Sequence, residues 1–252
     1  MFTVSIASAI PPSASIIIPA RNEQGHIERI FGEMPHFCPD MELIFVEGNS
    51  TDATWKELRK CARRHEKSWP KLKLLQQEGK GKADAVWKGI AASSGQVIFI
   101  LDADLTVPPE SLEELYKPFC DGSATFTYGS RYLHPMEKGA MRFWNNAANR
   151  AFAVIWRPFF AEKMTDALCG TKVFLRKDYN AVRALYPHIF AADYYGDFAL
   201  LFIAPVMRCT AKEIAVHYRA RKYGTSNIPR WQGGMRLLRV YVLCLWALVR
   251  MR

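Results

Sequence analysis

Short runs dense in Val, Ile and Leu alternate with segments whose apolar residues recur every three or four positions. The runs Ser15–Pro19, Glu42–Val46, Leu72–Leu75 and Gln96–Leu101 read as strands. Between them, Glu23–Met34 carries Ile27, Ile30, Phe31 and Met34 at helical spacing, and Asp52 is placed to cap a helix through Trp55, Leu58 and Cys61. A third helix opens at Gly79-Lys80-Gly81-Lys82 and runs through Ala85, Val86 and Ile90. This alternation predicts an α/β domain with a mostly parallel, Rossmann-like sheet and flanking helices.

Beyond Asp104 the rhythm changes. The pattern predicts helices over Ser111–Phe119, Met141–Trp156 and Phe198–Val206, and strands over Ala124–Tyr128, Lys172–Leu175 and Ile214–Tyr218. The long helix would turn Phe143, Ala147, Phe152 and Ile155 inward and stop at Arg157-Pro158. Residues 1–14 read as an extension without the basic start of a secretory leader, residues 15–230 as the main domain, and residues 231–252 as an amphipathic or interfacial helix. Its unbroken apolar run, Val240–Val249, is too short to span a bilayer and has arginines on both sides.

Every early strand ends in polar or glycine residues, and that edge is where an α/β sheet binds its ligands. The strand ending at Leu101 delivers Asp102 and Asp104 there. Two readings fit the pair. It offers hard oxygen donors to Mg²⁺ or Mn²⁺, or it caps the helix announced by Pro108-Pro109-Glu110. Lys80 and Lys82 likewise meet a nucleotide phosphate or sit in a solvated loop, because the full phosphate-loop pattern is absent.

Charge changes the picture by selecting partners. Lys and Arg exceed Asp and Glu by 34 to 24, a net +10, which favours anionic ligands or membrane faces; no nucleic-acid recognition motif accompanies it. The six scattered cysteines suggest neither a zinc site nor a disulfide framework. The basic cluster Arg219–Asn227 would suit a diphosphate or lipid phosphate.

Seven blocks in order, Pro19–Glu23, Glu47–Asp52, Gly79–Ala83, Asp102–Leu105, Gly129–Tyr132, Asp166–Thr171 and Arg221–Asn227, resemble family 2 glycosyltransferases, in the branch of the dolichyl-phosphate and polyprenyl-phosphate enzymes. The resemblance implies a GT-A fold and inverting, metal-dependent transfer of a sugar from a UDP- or GDP-sugar to a lipid-phosphate acceptor. By the same likeness Pro19, Ala20, Asn22, Glu23 and Glu47 hold the nucleotide, Asp102 faces its ribose, and Asp104 with Thr106 holds Mg²⁺ or Mn²⁺. Arg221 and Ser226 fall near the diphosphate, and Arg131, Arg142 and Asn146 fall in the acceptor-phosphate pocket. A hydroxyl acceptor would need a carboxylate base, for which Asp197 or Asp166 is the candidate. The Glu47-Gly48 pair departs from the two aspartates of many relatives and leaves the base open, and the paired membrane helices of some relatives are not expected. Work at the cytoplasmic face of a membrane, through peripheral contact, is the corresponding expectation. A soluble or glycan hydroxyl acceptor and a silent nucleotide-sugar-binding subunit are the rival readings.

Overall fold

The computed structural model describes residues 11–137, 143–160, 163–221, 223 and 230–251. The first half follows the predicted alternation: β1 (Ala14–Ala20), α1 (Ile27–Glu33), β2 (Met41–Glu47), α2 (Thr54–His65), β3 (Leu72–Gln76), α3 (Lys82–Ala92), β4 (Val97–Ile100) and α4 (Ser111–Cys120). Then come β5 (Phe126–Ser130), α5 (Phe143–Trp156), β6 (Lys172–Leu175), α6 (Arg176–Leu185), α7 (Pro187–Ala192), α8 (Asp197–Met207), β7 (Ala211–Ala215) and α9 (Arg230–Arg250).

The seven strands form one sheet in the order β3-β2-β1-β4-β6-β5-β7. The strands β1 to β4 pair in parallel, β6 runs antiparallel to β4 and β5, and β7 is parallel to β5. Both faces are covered. Ile16 and Ile18 pack with Leu43, Phe45, Val97 and Phe99 in one layer, while Ile17 packs with Ile44, Val46, Ile98 and Ile100 in the other. A strand buried on both faces has no polar side to show, which is why these runs do not alternate.

Several boundaries differ from the pattern. The helix α2 starts two residues after Asp52, whose Oδ1 accepts the Thr54 N–H at 2.9 Å, so the aspartate supports the helix start from outside it. The last strand is Ala211–Ala215, not Ile214–Tyr218, because its pairing with β5 stops at Ser130↔Ala215. In α5 the inward positions are Asn149, Ala153 and Trp156, with Phe152 and Ile155 half-buried and Ala147 exposed. The helices α6 and α7 are not among the predicted elements.

The C-terminal helix is longer than its apolar run. Gln232–Arg250 is long and apolar enough to cross a membrane by length and composition, a test that a core helix also passes. One face, formed by Leu237, Val240, Cys244, Ala247 and Leu248, belongs to the same core as α8.

Candidate functional site

Because β1, β2 and β4 are parallel and in register, Ala20, Glu47 and the Asp102 segment arrive at one edge of the sheet. Backbone bonds tie that edge together: Gly48 N–H donates to Ala20 O at 2.8 Å and Gln77 N–H to Glu47 O at 2.8 Å. Over it lies a cavity of about 190 Å³ lined by Pro19, Arg21, Gly48, Gln77, Gly81, Lys82, Ala85, Tyr194 and Tyr195. Pro19 and Lys82 among the expected nucleotide residues therefore line it.

The other expected residues that are described do not line it. Asn22 adopts φ +57°, and its Oδ1 accepts the Thr51 N–H at 2.8 Å, joining the loops after β1 and β2. Glu47 is buried and turned inward, with Oε1 accepting Ser50 N–H at 2.5 Å and Oε2 accepting from Gln76 Nε2 at 3.3 Å. Ala20 is buried beside them, and Lys80 is exposed and lines a different cavity. Gly81 takes φ +91°, and a Cβ there would stand 2.6 Å from Tyr194 O, so glycine is what lets the loop pass beneath Tyr194.

The acidic pair lies beside Lys82. Lys82 Nζ is 2.6 Å from Asp102 Oδ1. Burial pulls the Lys82 ammonium down, but Asp102, Asp197 and Asp104 outweigh it and hold its pKa above the usual lysine value. Asp104 Oδ1 accepts from Thr106 N–H at 3.1 Å and from Thr106 Oγ1 at 2.8 Å, while Oδ2 faces Arg221 Nη1 at 3.5 Å. Neither carboxylate caps α4, whose first position follows Glu110 without a side-chain cap; the helix-cap reading fails. Gly170 packs against Asp102, since a Cβ there would overlap Asp102 Oδ2.

Arg221 also donates to Glu23 Oε1, and His26 Nδ1 lies 2.8 Å from Glu23 Oε2. Burial, opposed by Arg221 and helped by Asp104, pushes the Glu23 carboxyl up to about 7. Two carboxylates and a hydroxyl of this set, Asp102, Asp104 and Thr106, are hard oxygen donors of the kind Mg²⁺ and Mn²⁺ take. A separate trio, Glu28, Glu57 and Cys61, could also approach a metal, but Glu28 is exposed and already paired with Arg64 at 2.6 Å.

Arg131 is held by a buried partner. Its Nε and Nη2 donate to Asp166 Oδ2 and Oδ1 at 2.6 and 2.8 Å, its N–H donates to Oδ2 at 3.1 Å, and its guanidinium lies 5.1 Å from the Tyr218 ring. Burial opposes ionisation of both, yet the pair wins: Asp166 is held below the usual carboxylate range and Arg131 above its own. Asn149 completes the cage by donating to Asp166 Oδ1 at 2.7 Å and to Tyr132 Oη at 3.1 Å, and Tyr132 Oη donates to Asn146 Oδ1 at 2.9 Å. Asn146 is thus linked to Arg131 through one hydrogen-bond chain. So saturated, Asp166 is a poor proton acceptor. Asp197, at the start of α8, pairs with the buried Lys172 at 2.9 Å. Arg142 and Ser226 lie outside the described residues.

Arg21, Gln77, Tyr194 and Tyr195 in the cavity wall, and Asn149 beside Asp166, are not among the residues expected from the sequence. Gln77 follows β3 on the same sheet edge and was findable by that rule; the tyrosines reach the cavity from a segment more than a hundred residues away, with no local signal.

A model of glycosyl transferase family 2 matches residues 15–186. The dolichol-phosphate mannosyltransferase of Pyrococcus furiosus is 31% identical over 121 residues, 47% of this chain and 33% of that protein. Glucosyl-3-phosphoglycerate synthase of Mycobacterium tuberculosis is 27% identical over 192 residues, 72% of this chain and 57% of the relative. The chain thus spans less than two thirds of either relative. The crystal structure of that synthase with Mn²⁺, UDP-glucose and glycerol 3-phosphate superposes with a TM-score of 0.66 at 18% identity, covering 98% of this chain and 84% of the other. The fold is the GT-A fold that the sequence led us to expect.

Proposed function

Glycosyl transferase family 2 is the family to which the chain belongs, and on that footing we propose that it moves a sugar, with inversion, from a nucleoside-diphosphate sugar to a polyprenyl-phosphate or other lipid-linked acceptor. The observation that carries this reading is the clustering of Asp102, Asp104 and Arg221 around Lys82, which lines a cavity over the carboxyl ends of parallel strands.

The cavity takes the nucleoside between Pro19, Arg21, Gly48 and Gln77. Lys82, already lying against Asp102, supplies a fixed ammonium to the diphosphate, and Arg221 supplies a guanidinium fork once it leaves the carboxylates. Asp104, with Asp102 and Thr106 beside it, would hold Mg²⁺ or Mn²⁺, and such a cation would offset the charge growing on the leaving diphosphate. Asp102 orients Lys82 and meets the ribose side of the donor.

Displacement forms a bond from the acceptor oxygen to the anomeric carbon as the bond to the diphosphate breaks. A phosphate acceptor arrives ionised and needs no base. That suits a site whose candidate bases are both engaged, Asp166 by Arg131 and Asn149, Asp197 by Lys172. Arg131 and Asn146 shape the acceptor side, Arg131 chiefly by fixing Asp166 and the backbone that follows. The exposed apolar residues Leu238, Val242, Trp246 and Val249 on α9 suit peripheral contact at the cytoplasmic face of a membrane.

A second reading, transfer to a soluble phosphorylated acceptor, is favoured by the longer alignment with the phosphoglycerate enzyme. Thermal unfolding of the protein with UDP-, GDP- and dTDP-sugars, with and without Mn²⁺, tests the donor half: one nucleotide should raise the midpoint only with the metal present. Product assays with polyprenyl phosphate against 3-phosphoglycerate separate the acceptors. No stabilisation by any nucleotide sugar would overturn the reading.

A further inference from the structure

A second cavity, of about 390 Å³, shares Tyr194 with the first and is lined by segments far apart in sequence: Lys80 before α3, Trp87 within it, Phe190 on α7, and Arg236 and Arg239 on α9. Its volume falls in the range of small-molecule sites, about 300–1,000 Å³. The wall is built rather than incidental. Trp87 Nε1 donates to Phe190 O at 3.3 Å, and the two rings meet edge to face at 5.2 Å, giving a fixed aromatic floor. The Arg236 guanidinium stacks 4.2 Å from the centre of the Tyr194 ring.

Charge is what the cavity leaves unsatisfied. Among the described residues, no carboxylate pairs with Lys80, Arg236 or Arg239. Two carboxylates do border it, and both are occupied by backbone. Asp84 Oδ2 accepts from Gly79 N–H at 2.9 Å, and Asp193 accepts from the N–H groups of Tyr195, Gly196, Phe198 and Ala199. Three exposed cations from two ends of the chain thus line one space against two carboxylates that are turned to backbone N–H groups, an excess of positive charge that an anion relieves and that guanidinium forks match to phosphate oxygens.

The helix supports the same ligand. Arg230–Arg250 contains no Asp or Glu. Helical spacing sets Arg236 and Arg239 along the seam between its docked face, with Val240 and Cys244, and its exposed apolar stripe of Leu238, Val242, Trp246 and Val249.

We infer that this cavity binds a phosphate ester, its phosphate between Lys80, Arg236 and Arg239 and its carbon skeleton against Trp87 and Phe190. The ester is either a lipid headgroup or a soluble molecule of the same chemistry. The site depends on none of the donor and acceptor chemistry proposed above.

The test uses the full chain and the variants Arg239→Gln and Lys80→Gln, with Arg250→Gln as a control that removes an equal charge from the same helix outside the cavity. Affinity is measured for glycerol 3-phosphate by calorimetry, and for phosphatidylcholine vesicles with and without phosphatidate by sedimentation; UDP affinity is read in parallel. Arg239→Gln and Lys80→Gln should each weaken binding about tenfold, the loss of one charge-assisted hydrogen bond, while Arg250→Gln and UDP affinity stay unchanged. Loss toward glycerol 3-phosphate identifies a soluble ester, and loss only toward phosphatidate vesicles a lipid headgroup. Equal weakening by Arg250→Gln, no wild-type binding in either arm, or unaltered affinity in both cavity variants would overturn the assignment.

Discussion

Arg221 bridges Asp104 and Glu23: its Nη1 lies 3.5 Å from Asp104 Oδ2 and its Nη2 donates to Glu23 Oε1, 198 positions away in the chain. One guanidinium is therefore shared between carboxylates delivered by two different strands, at the point where a nucleotide-bound cation would compete for them. The relationship makes the charge balance of the site measurable.

Asp104→Asn keeps the side chain's shape and its bonds to Thr106 but removes the charge. Turnover should fall on the order of a hundredfold or more, and Mn²⁺ should no longer raise the unfolding midpoint in the presence of the donor. A variant that still responds to Mn²⁺ as the wild type does would remove Asp104 from the metal site.

Glu23 gives a pH dependence whose sign is fixed. Its carboxyl is pushed from 4.5 to about 7 in the folded protein, mainly by burial, so between those values the native state binds more protons than the unfolded chain. Stability from this group is fully present below pH 4.5 and is lost as pH rises toward 7, by roughly 3 kcal/mol at most. In Glu23→Gln this component is absent. Urea denaturation across that window should show the variant gaining on the wild type as pH rises, and parallel curves would refute the assignment.

Arg131 and Asp166 should behave as a buried pair. Removing one partner, as in Arg131→Met, leaves the other charge buried and should cost about 3–5 kcal/mol. Replacing both, with Asp166→Leu in addition, should cost less than the sum of the single changes. A double-mutant cycle in urea measures the difference, and additive losses would mean that the pair is not coupled.

Gly170→Ala places a methyl group where Asp102 Oδ2 lies. The carboxylate must swing away and loosen its contact with Lys82. Nucleotide affinity should fall about tenfold while the unfolding midpoint changes little, as calorimetry and thermal melts would show. A large loss of stability with intact affinity would point to a packing role for Gly170 instead.

Much of the fold was legible because it is local. Buried parallel strands such as Ile16-Ile17-Ile18 and Val97–Ile100 must be apolar on both faces, and a helix between them must show its apolar stripe, so the first four βα units appear in the pattern itself. Composition and order carried the family blocks for the same reason: Asp102 and Asp104 follow a strand wherever that strand sits in the sheet. The strand Lys172–Leu175 was legible as well, but its antiparallel direction and the true ends of β7 were not, because pairing with β4 and β5 sets them and no residue within those strands does.

Long-range packing decided the rest. Sequence supplied Lys82, Asp102, Asp104 and Arg221 as candidates; only the parallel register of β1, β2 and β4 and the return of the Arg221 segment made them neighbours. Arg131 looked available for a phosphate until the fold gave it Asp166, and Lys80 looked equivalent to Lys82 until the turn at Gly81 sent the two to different cavities. Hydrophobic periodicity is written in neighbouring residues and survives in the sequence alone. Charge pairing acts through space, so which charges meet is settled when the chain folds.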